Sequence, residues 1–283
     1  MVSRQTRPNV IPNPYQVLRA HGLKAKKSLG QNFLVDPNIP SQIARSGGVR
    51  TGDVIFEIGA GCGTLTHCLS EMAERVIALE YDEDLIPIAR AELAYADHVE
   101  VRQGDIRNLD WDSLVAEVGQ PLVVYGNLPY YLSSDILLAL LDNPQGWRRA
   151  CFLVQLEFAQ RVCAPPGQRA AGSISALTHL FTYPSLLFEV SPESFSPPPK
   201  VTSAVMVLER RDEWGADVGD LKVFRRVVRA LFAQRRKMAR VSLKSIHANP
   251  EQLLTSIGLD PTFRGERFTL DQIALISKTL HKK

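Results

Sequence analysis

Between residues 53 and 155, short apolar segments alternate with segments of helical hydrophobic spacing, and few folds accommodate this alternation. Five segments have the composition of buried strands, at 53–58, 75–80, 99–103, 122–125 and 151–155. Helical patterns lie between them, as at 65–72, 85–93 and 136–141. Strands that alternate with helices form right-handed crossovers and a mostly parallel sheet covered on both faces. The sequence therefore predicts an α/β fold with ligand sites at the carboxyl ends of the strands.

Two later apolar segments, at 186–190 and 201–208, are joined through the prolines at 197–199 and are predicted to close the sheet as a pair of strands. After Arg211 the pattern is purely helical, which predicts a smaller all-helical domain. Three prolines, at 8, 12 and 14, favour an irregular N-terminal arm over a long helix. The expected organisation is an arm over 1–22, a catalytic domain over 23–212 and a helical domain over 213–283.

The composition is that of a soluble globular enzyme, because 283 residues with 45% hydrophobic content are enough for a large core. No apolar run reaches membrane-spanning length and no secretory signal pattern opens the chain, so we predict a cytoplasmic protein. The acid-poor N-terminus leaves a transit peptide as the alternative. The 4 cysteines form no CxxC pair and have no metal-ligand spacing with the histidines, so no metal site is expected.

Two segments, 1–35 and 221–250, contain basic residues and no acidic residue, although the net charge of the chain is only +3. In the second segment, apolar residues from Phe224 to Phe232 recur at helical spacing, so one helix face is core and the arginines project from the other. A solvated charged face is the usual interpretation of such a run, but the complete absence of acids favours contact with nucleic-acid phosphates. The candidate contacts are Lys26, Lys27, Arg225, Arg229, Arg235, Arg236, Lys237 and Arg240.

Glycines at 59, 61 and 63 follow the first predicted strand, where missing side chains let the backbone approach a ligand. Glu80 ends the second strand, at the position from which a carboxylate accepts hydrogen bonds from ribose hydroxyls. Asp105 follows the third strand and is placed to receive an adenine amino group. These features fit a nicotinamide dehydrogenase as well as any other nucleoside-binding fold, so they leave the reaction open.

The tetrapeptide Asn127-Leu128-Pro129-Tyr130, after the fourth strand, favours methyl transfer to a planar amine, because hydride transfer has no use for it. An adenine amine is a poor nucleophile, since its lone pair is delocalised into the ring. If the side-chain oxygen of Asn127 and the carbonyl of Leu128 accept hydrogen bonds from its two N–H groups, the lone pair turns toward the methyl donor. Tyr130 would stack on the ring. The alternative is a proline turn with a packed tyrosine.

Four motifs in a fixed order carry a resemblance to a known family. They are Lys-Lys-Ser-Leu-Gly-Gln-Asn-Phe-Leu at 26–34, Glu-Ile-Gly-Ala-Gly at 57–61, the tetrapeptide at 127–130, and Phe-Ser-Pro-Pro-Pro-Lys-Val-Thr-Ser-Ala-Val at 195–205; Gln-Arg-Arg-Lys at 234–237 extends the match. From about residue 20 to 245 the chain resembles the ribosomal RNA adenine dimethyltransferases of the KsgA family.

The resemblance implies a class I, Rossmann-like, S-adenosylmethionine-dependent methyltransferase domain with a helical C-terminal domain. It also implies dimethylation of two adjacent adenines near the 3′ end of small-subunit ribosomal RNA within a precursor particle, with S-adenosylhomocysteine as product. Carried over by position, the family's cofactor contacts are Asn32, Leu34, Gly59, Glu80, Asp105 and Asn127. Phe195 is expected to cover the target base opposite Tyr130; its alternative is a packed loop aromatic. Tyr131 departs from the asparagine of many relatives.

Two other functions stay open from the sequence. One is methylation of large-subunit ribosomal RNA by the related macrolide-resistance enzymes, which share the motifs at 31–34 and 127–130. The other is a non-catalytic assembly or transcription factor built on the same fold, although the retention of every motif residue argues against it. A monomer that uses no metal and does not bind membranes is the default expectation.

Overall fold

The computed structural model describes residues 11–281 of the chain. Its strands are β1 (Phe33–Leu34), β2 (Val54–Ile58), β3 (Arg75–Glu80), β4 (Val99–Gln103), β5 (Leu122–Asn127), β6 (Trp147–Gln155), β7 (Thr182–Val190), β8 (Phe195–Ser196) and β9 (Ser203–Arg210). Its α-helices are α1 (Pro14–Ala20), α2 (Asn38–Ser46), α3 (Thr64–Ser70), α4 (Ile86–Glu92), α5 (Trp111–Val118), α6 (Ser133–Asp142), α7 (Leu156–Cys163), α8 (Ser173–Phe181), α9 (Leu221–Ala233), α10 (Ala239–Ser242), α11 (Pro250–Ser256) and α12 (Leu270–His281).

Seven strands form the main sheet, in the order β4-β3-β2-β5-β6-β9-β7. The five strands from β4 to β6 are parallel, and β9 is antiparallel to β6. Because the chain proceeds from β2 to one side of the sheet and later returns to β5 on the other side, the topology switches between β2 and β5. A crevice opens at the carboxyl ends of the strands at such a switch point. The predicted α/β fold is confirmed.

The central strands are continuous apolar runs because both faces of the sheet are covered. Every residue of β2 is buried, and β5 is buried up to Gly126. In β5 the fully buried Tyr125 donates a hydrogen bond of 2.8 Å to the carbonyl of Ala44 in α2. A Cβ at Gly47 would lie only 1.9 Å from the Tyr125 hydroxyl oxygen, so only glycine fits beside this ring. Helix α2 is thereby fixed against the sheet.

Some boundaries differ from the prediction. Strand β5 continues to Asn127, so the first residue of the tetrapeptide is the last residue of a strand. The two late strands both join the sheet, with β9 between β6 and β7. The pairing of β1 with β8, in which Leu34 faces Phe195, was not predicted. Strands of two residues are too short to produce a periodic hydrophobic pattern.

The described residues divide into two compact units. The first contains the chain up to Leu156 together with Leu186–Glu209, and the second contains Glu157–Ser185 together with the chain from Arg210 onward. This division differs from the predicted boundary at residue 212, because α7 and α8 group with the C-terminal helices. Within the second unit, Phe181 contacts Trp214 edge-on with ring centroids 5.7 Å apart. Such long-range packing is not visible in local sequence patterns.

The predicted arm is only partly irregular. Residues 1–10 lie outside the described part of the chain, and residues 14–20 form α1. The side chain of Asn13 caps this helix by accepting from the amides of Tyr15 and Gln16, and Pro14 occupies the first helical turn. Asparagine at the cap and proline at the first position both favour a helix start, so the irregular prediction was wrong for this stretch. No helix between residues 11 and 281 is long and apolar enough to span a membrane.

Candidate active site

One cavity at the carboxyl ends of β2, β3 and β5 brings together residues that the sequence placed in separate motifs. Its lining includes all six predicted cofactor contacts and the whole tetrapeptide, namely Asn32, Leu34, Gly59, Glu80, Asp105, Asn127, Leu128, Pro129 and Tyr130. Pro14 of α1 adds to the wall. The positions are therefore those of a single site, while the role of each residue stays a prediction.

The loop after β2 approaches β5 closely, because its glycines adopt conformations that other residues rarely take. Gly59 has φ of 86° and Gly61 has φ of 56°, both in the left-handed region. At Gly126 a Cβ would lie 2.8 Å from the carbonyl oxygen of Ile58 and 2.6 Å from Leu128. At Gly59 the nearest atom to such a Cβ is the backbone oxygen of Asn127, 3.9 Å away, so the missing side chain there leaves room beside the backbone for a ligand at the switch point of the sheet.

Glu80 is a buried carboxylate held by backbone donors. One oxygen accepts from the amide of Gly61 at 2.7 Å, and the other accepts from the amide of Asp82 at 2.7 Å. Burial raises the pKa of Glu80, and these backbone hydrogen bonds offset part of the increase. The carboxylate oxygens have further lone pairs, so they can also accept from ligand hydroxyl groups.

Glu57 is a site residue that the sequence analysis did not single out. It is the last residue but one of β2, is completely buried and lines the cavity. Among the described residues, neither of its carboxyl oxygens has a hydrogen-bond partner. Burial raises the pKa of Glu57 to about 8; the nearby hydroxyl of Thr66, which is not in hydrogen-bonding geometry, opposes the increase, and the negative charge of Glu80 adds a smaller contribution to it. A buried acid without a partner suits a cationic ligand group, and an acidic residue inside an apolar strand was the available sequence signal.

Asp105 is already engaged in the structure. Its carboxylate accepts from the backbone amide of Arg107 at 2.9 Å and from the guanidinium of the same residue at 2.6 Å. Hydrogen bonding to Arg107 lowers the pKa of Asp105, so the side chain is a carboxylate at neutral pH. An adenine amino group would share this acceptor with Arg107.

The amide of Asn127 has a defined orientation. Its Nδ2 donates a hydrogen bond of 3.0 Å to the backbone carbonyl of Asn32, and no described residue donates to its Oδ1. Leu128 is anchored by its own amide, which donates to the carbonyl of Leu153 at 3.0 Å. The half-buried ring of Tyr130 is fixed by a hydrogen bond of 2.6 Å between its hydroxyl and the hydroxyl of Ser203. The lining of the cavity therefore includes both an amide oxygen with a free acceptor position and an aromatic ring restrained by a hydrogen bond.

Comparison with known proteins assigns the chain to a family. The model of the ribosomal RNA adenine dimethylase family matches residues 22–282. The chain belongs to this family. Among curated dimethylase relatives, a protein of Magnetococcus marinus named ribosomal RNA small subunit methyltransferase A is 38% identical over 93% of this chain and 94% of its own length. A protein of the same name from Anaeromyxobacter sp. is 41% identical over 95% of this chain and 98% of its own length.

Two solved structures share the dimethylase fold. The 23S rRNA methyltransferase ErmE is 25% identical, with a TM-score of 0.70 over 88% of this chain and 100% of its own. A dimethyladenosine transferase from Plasmodium falciparum is 21% identical, with a TM-score of 0.72 over 88% of this chain and 98% of its own. These similarities and the strand order confirm the class I, Rossmann-like methyltransferase fold.

The structure does not bring Phe195 to the cavity. Its side chain is 3% exposed and belongs to a core cluster with Leu34 and Leu153, and it is not among the lining residues. The cause is the pairing of β8 with β1, which places Phe195 directly opposite Leu34. In this conformation the residue is the packed aromatic of the alternative interpretation, so its expected contact with the base is corrected here.

The predicted phosphate contact of Lys26 is also corrected, because its ammonium group already pairs with two carboxylates. Its Nζ lies 2.5 Å from a carboxylate oxygen of Asp82 and 2.7 Å from one of Asp84. Hydrogen bonds to these two carboxylates raise the pKa of Lys26. The sequence placed these acids more than 50 positions away, so the absence of acids around Lys26 was misleading. Lys27 is exposed on the following turn.

The basic residues of the second unit lie largely on its surface. In α9 the apolar residues Phe224, Val227, Val228 and Leu231 are buried, which confirms the predicted amphipathic helix. Arg229, Arg235, Arg236 and Lys237 are exposed. Arg225 is partly buried, and Arg240 forms an ion pair of 3.3 Å with Glu251. Contact of these side chains with RNA stays a prediction, and the pairing of Arg240 makes it the weakest candidate.

Metal ligands and disulfides have no counterpart in the described structure. Over residues 11–281, no group of three or more histidine, cysteine, aspartate or glutamate side chains is arranged to hold a metal ion. The cysteines are free, and three of them are buried: Cys62, Cys68 and Cys151. Apolar packing accounts for these thiols.

Proposed function

We propose that this protein transfers methyl groups from S-adenosylmethionine to the exocyclic amines of two adjacent adenines near the 3′ end of small-subunit (16S) ribosomal RNA, giving dimethyladenosines. The single observation that carries the proposal is the fixed amide of Asn127, whose oxygen is an unused acceptor beside Leu128 and Tyr130. The names of the curated relatives support the small-subunit substrate.

The residues of the cavity fit S-adenosylmethionine. The unpartnered carboxyl of Glu57 suits the ammonium group of its amino-acid part, and ionisation of Glu57 would accompany that pairing. Glu80 offers a held carboxylate to the ribose hydroxyls, and the left-handed glycines at 59 and 61 leave space beside the backbone. The cofactor supplies a methyl group bound to a positively charged sulfur, which is already a good leaving group. When the amine takes the methyl, S-adenosylhomocysteine remains.

The side chain of Asn127 and the backbone carbonyl of Leu128 activate the amine, and no covalent intermediate forms. Oδ1 of Asn127 and the carbonyl oxygen of Leu128 accept hydrogen bonds from the two N–H groups of the adenine amine, which frees the lone pair of the amine nitrogen. These hydrogen bonds strengthen as positive charge develops on nitrogen, so they stabilise the transition state more than the ground state. Tyr130, held by Ser203, stacks on the base at about 1 to 3 kcal/mol. The extra proton leaves the methylated nitrogen for water.

Base recognition requires that the adenine leave its stack, since its amine is otherwise out of reach. The exposed cations of the second unit, Arg229, Arg235, Arg236 and Lys237, would contact RNA phosphates of a precursor small-subunit particle. Action on such a particle implies a cytoplasmic enzyme, and we infer that it acts as a monomer. The chemistry assigns no role to a metal ion.

Methylation of large-subunit RNA is the second candidate, because the solved structure of the 23S rRNA methyltransferase ErmE matches with a TM-score of 0.70. We rank it lower, because the curated relatives at 38% to 41% identity carry the small-subunit name. A non-catalytic factor ranks below both, because it would not need the hydrogen-bonded arrangement around Asn127.

Transfer of labelled methyl from S-adenosylmethionine tests the proposal. Under-methylated small subunits and unmodified large-subunit RNA are used in parallel, and the modified nucleoside is identified by mass. We expect dimethyladenosine only in the small-subunit sample. Label only in large-subunit RNA would assign the second candidate, and absence of label from both would favour the non-catalytic factor.

A further inference from the structure

A path of two side-chain hydrogen bonds, joined by the chain between Gln31 and Asn32, connects the turn after β3 to the amide of Asn127. It begins at Asp82, two residues after Glu80, and passes through the side chain of Gln31 to the segment that carries Asn32. It ends where the Asn32 carbonyl accepts from Asn127. No step of the methyl transfer uses Asp82 or Gln31 directly, so the path needs its own explanation.

Asp82 is the buried anchor of the path. It is 4% exposed, and its two oxygens have different partners: the Nζ of Lys26 at 2.5 Å and the Nε2 of Gln31 at 2.7 Å. Burial opposes ionisation, but the hydrogen bonds from Lys26 and Gln31 outweigh it and lower the pKa of Asp82. The anchor is therefore a carboxylate at neutral pH, and hydrogen bonds to a charged acceptor are the strong ones.

Gln31 uses both ends of its side-chain amide. Nε2 donates to Asp82, and Oε1 accepts from the backbone amide of Lys26 at 2.8 Å. The side chain thus ties its own segment to β3 and to the preceding turn at once. The next residue is Asn32, and the hydrogen bonds of Gln31 restrict the movement of the segment that carries its backbone carbonyl.

The position of the Asn32 carbonyl matters because the two ends of the Asn127 side chain are nearly equal in size. A rotation of 180° would exchange Oδ1 and Nδ2 and would present a donor to the donating adenine amine. The hydrogen bond of 3.0 Å from Nδ2 to the Asn32 carbonyl selects the orientation that leaves Oδ1 as the acceptor. A displaced carbonyl would lose this selection.

We propose that Asp82, acting through Gln31, is a positioning residue for methyl transfer: it fixes the Asn32 carbonyl that orients the Asn127 amide. The expected effect on the rate of methyl transfer rests on the proposed function, whereas the effect on the orientation of the Asn127 amide does not. Preorganised acceptors of this kind cost no rearrangement at the moment of reaction. A single misaligned amide should therefore lower the rate constant without a comparable loss of cofactor affinity.

The test exchanges the donor and the acceptor of the hydrogen bond between Gln31 and Asp82. Gln31→Glu places a second carboxylate against Asp82, and Asp82→Asn turns a donor toward one of the groups that donate to this side chain. We expect each single substitution to lower the single-turnover rate constant at saturating S-adenosylmethionine about 10-fold or more, from the loss of one hydrogen bond to a charged group. The dissociation constant of S-adenosylmethionine should change by less than about 3-fold.

The double variant Gln31→Glu with Asp82→Asn should recover the rate to within about 3-fold, because the new amide at position 82 can donate to the new carboxylate at position 31. Glu83→Gln is the matched control: it removes one charge beside Asp82 at an exposed position whose side chain bonds to Gln103 instead. The control should keep the full rate. Wild-type rates in both single variants, or a double variant as slow as they are, would overturn the proposal.

The side-chain amide signals of Asn127 in nitrogen-15 NMR give an independent readout without RNA. The hydrogen-bonded proton should lose its downfield shift in each single variant and regain it in the double variant. Unchanged signals in the single variants would also overturn the positioning role. If the wild-type protein transfers no methyl group to RNA, the proposed function fails, while the NMR comparison still decides whether Asp82 orients Asn127.

Discussion

Replacement of Glu57 by glutamine should stabilise the protein without ligand while abolishing tight binding of S-adenosylmethionine. Glu57 is completely buried, and neither carboxyl oxygen has a partner among the described residues. Glutamine has nearly the same shape but never carries the charge. The substitution therefore isolates the cost of ionising a buried acid from the cost of a change in packing.

The magnitude follows from the pKa of Glu57, which is about 8 in the folded protein and ordinarily 4.5. Below pH 4.5 Glu57 holds its proton in both the folded and the unfolded chain, so its ionisation does not affect the free energy of unfolding. As the pH rises, the unfolded chain loses the proton first while the folded chain keeps it up to about pH 8, so stability falls. At about 1.4 kcal/mol per pKa unit, the loss between pH 5 and pH 8 is about 3 to 4 kcal/mol.

Urea unfolding of the wild-type protein and of Glu57→Gln at a series of pH values measures this directly. The difference in free energy of unfolding between the two proteins should grow in favour of the variant as the pH rises from about 5 to 8. Calorimetry at neutral pH should show weaker binding of S-adenosylmethionine by the variant, because the amide cannot pair with an ammonium group as a carboxylate does. A difference that stays flat with pH would refute the argument, since it would mean that Glu57 ionises freely in the folded state.

Four other variants test the site and its surroundings. Asn127→Ala should keep the affinity for S-adenosylmethionine within several-fold yet lose nearly all methyl transfer; near-normal turnover would exclude the amide as the acceptor. Gly126→Ala should lower the free energy of unfolding by about 1 to 3 kcal/mol in a urea titration, because the new Cβ would contact a backbone carbonyl at 2.8 Å. Arg235→Glu combined with Lys237→Glu should weaken binding to small-subunit particles and reduce its salt dependence; an unchanged salt slope would contradict RNA contact. Phe195→Leu should lower stability by about 1 kcal/mol and leave the KM for RNA unchanged, whereas a raised KM with intact stability would restore the base contact.

The regular part of the fold was predictable because its signals are local. The strand at 75–80 and the strand at 99–103 match β3 and β4 residue for residue. Parallel strands covered on both faces are short apolar runs, and the glycine loop and the tetrapeptide follow two of them directly. Once a parallel sheet is inferred, the carboxyl ends of its strands must lie together, so the meeting of Gly59, Glu80 and Asn127 in one cavity also follows.

Partners that are distant in sequence were not predictable. Lys26 looked free because no acid lies near it in the chain, but Asp82 and Asp84 meet it across the fold. The ring of Phe195 has the same sequence signature whether it faces a base or the core, and only the pairing of β8 with β1 decides between them. The grouping of α7 and α8 with the second unit likewise depends on which apolar faces meet.

The sequence by itself determined the order of strands and helices along the chain, the mostly parallel sheet and the chemical groups that a methyl transfer to adenine requires. The tertiary structure alone decided the protonation and orientation of those groups. The pKa of Glu57 depends on the removal of water around it, and the orientation of Asn127 depends on a carbonyl 95 residues away. Motifs record which groups are present, whereas charge state and hydrogen-bond direction are set by neighbours that only folding assembles.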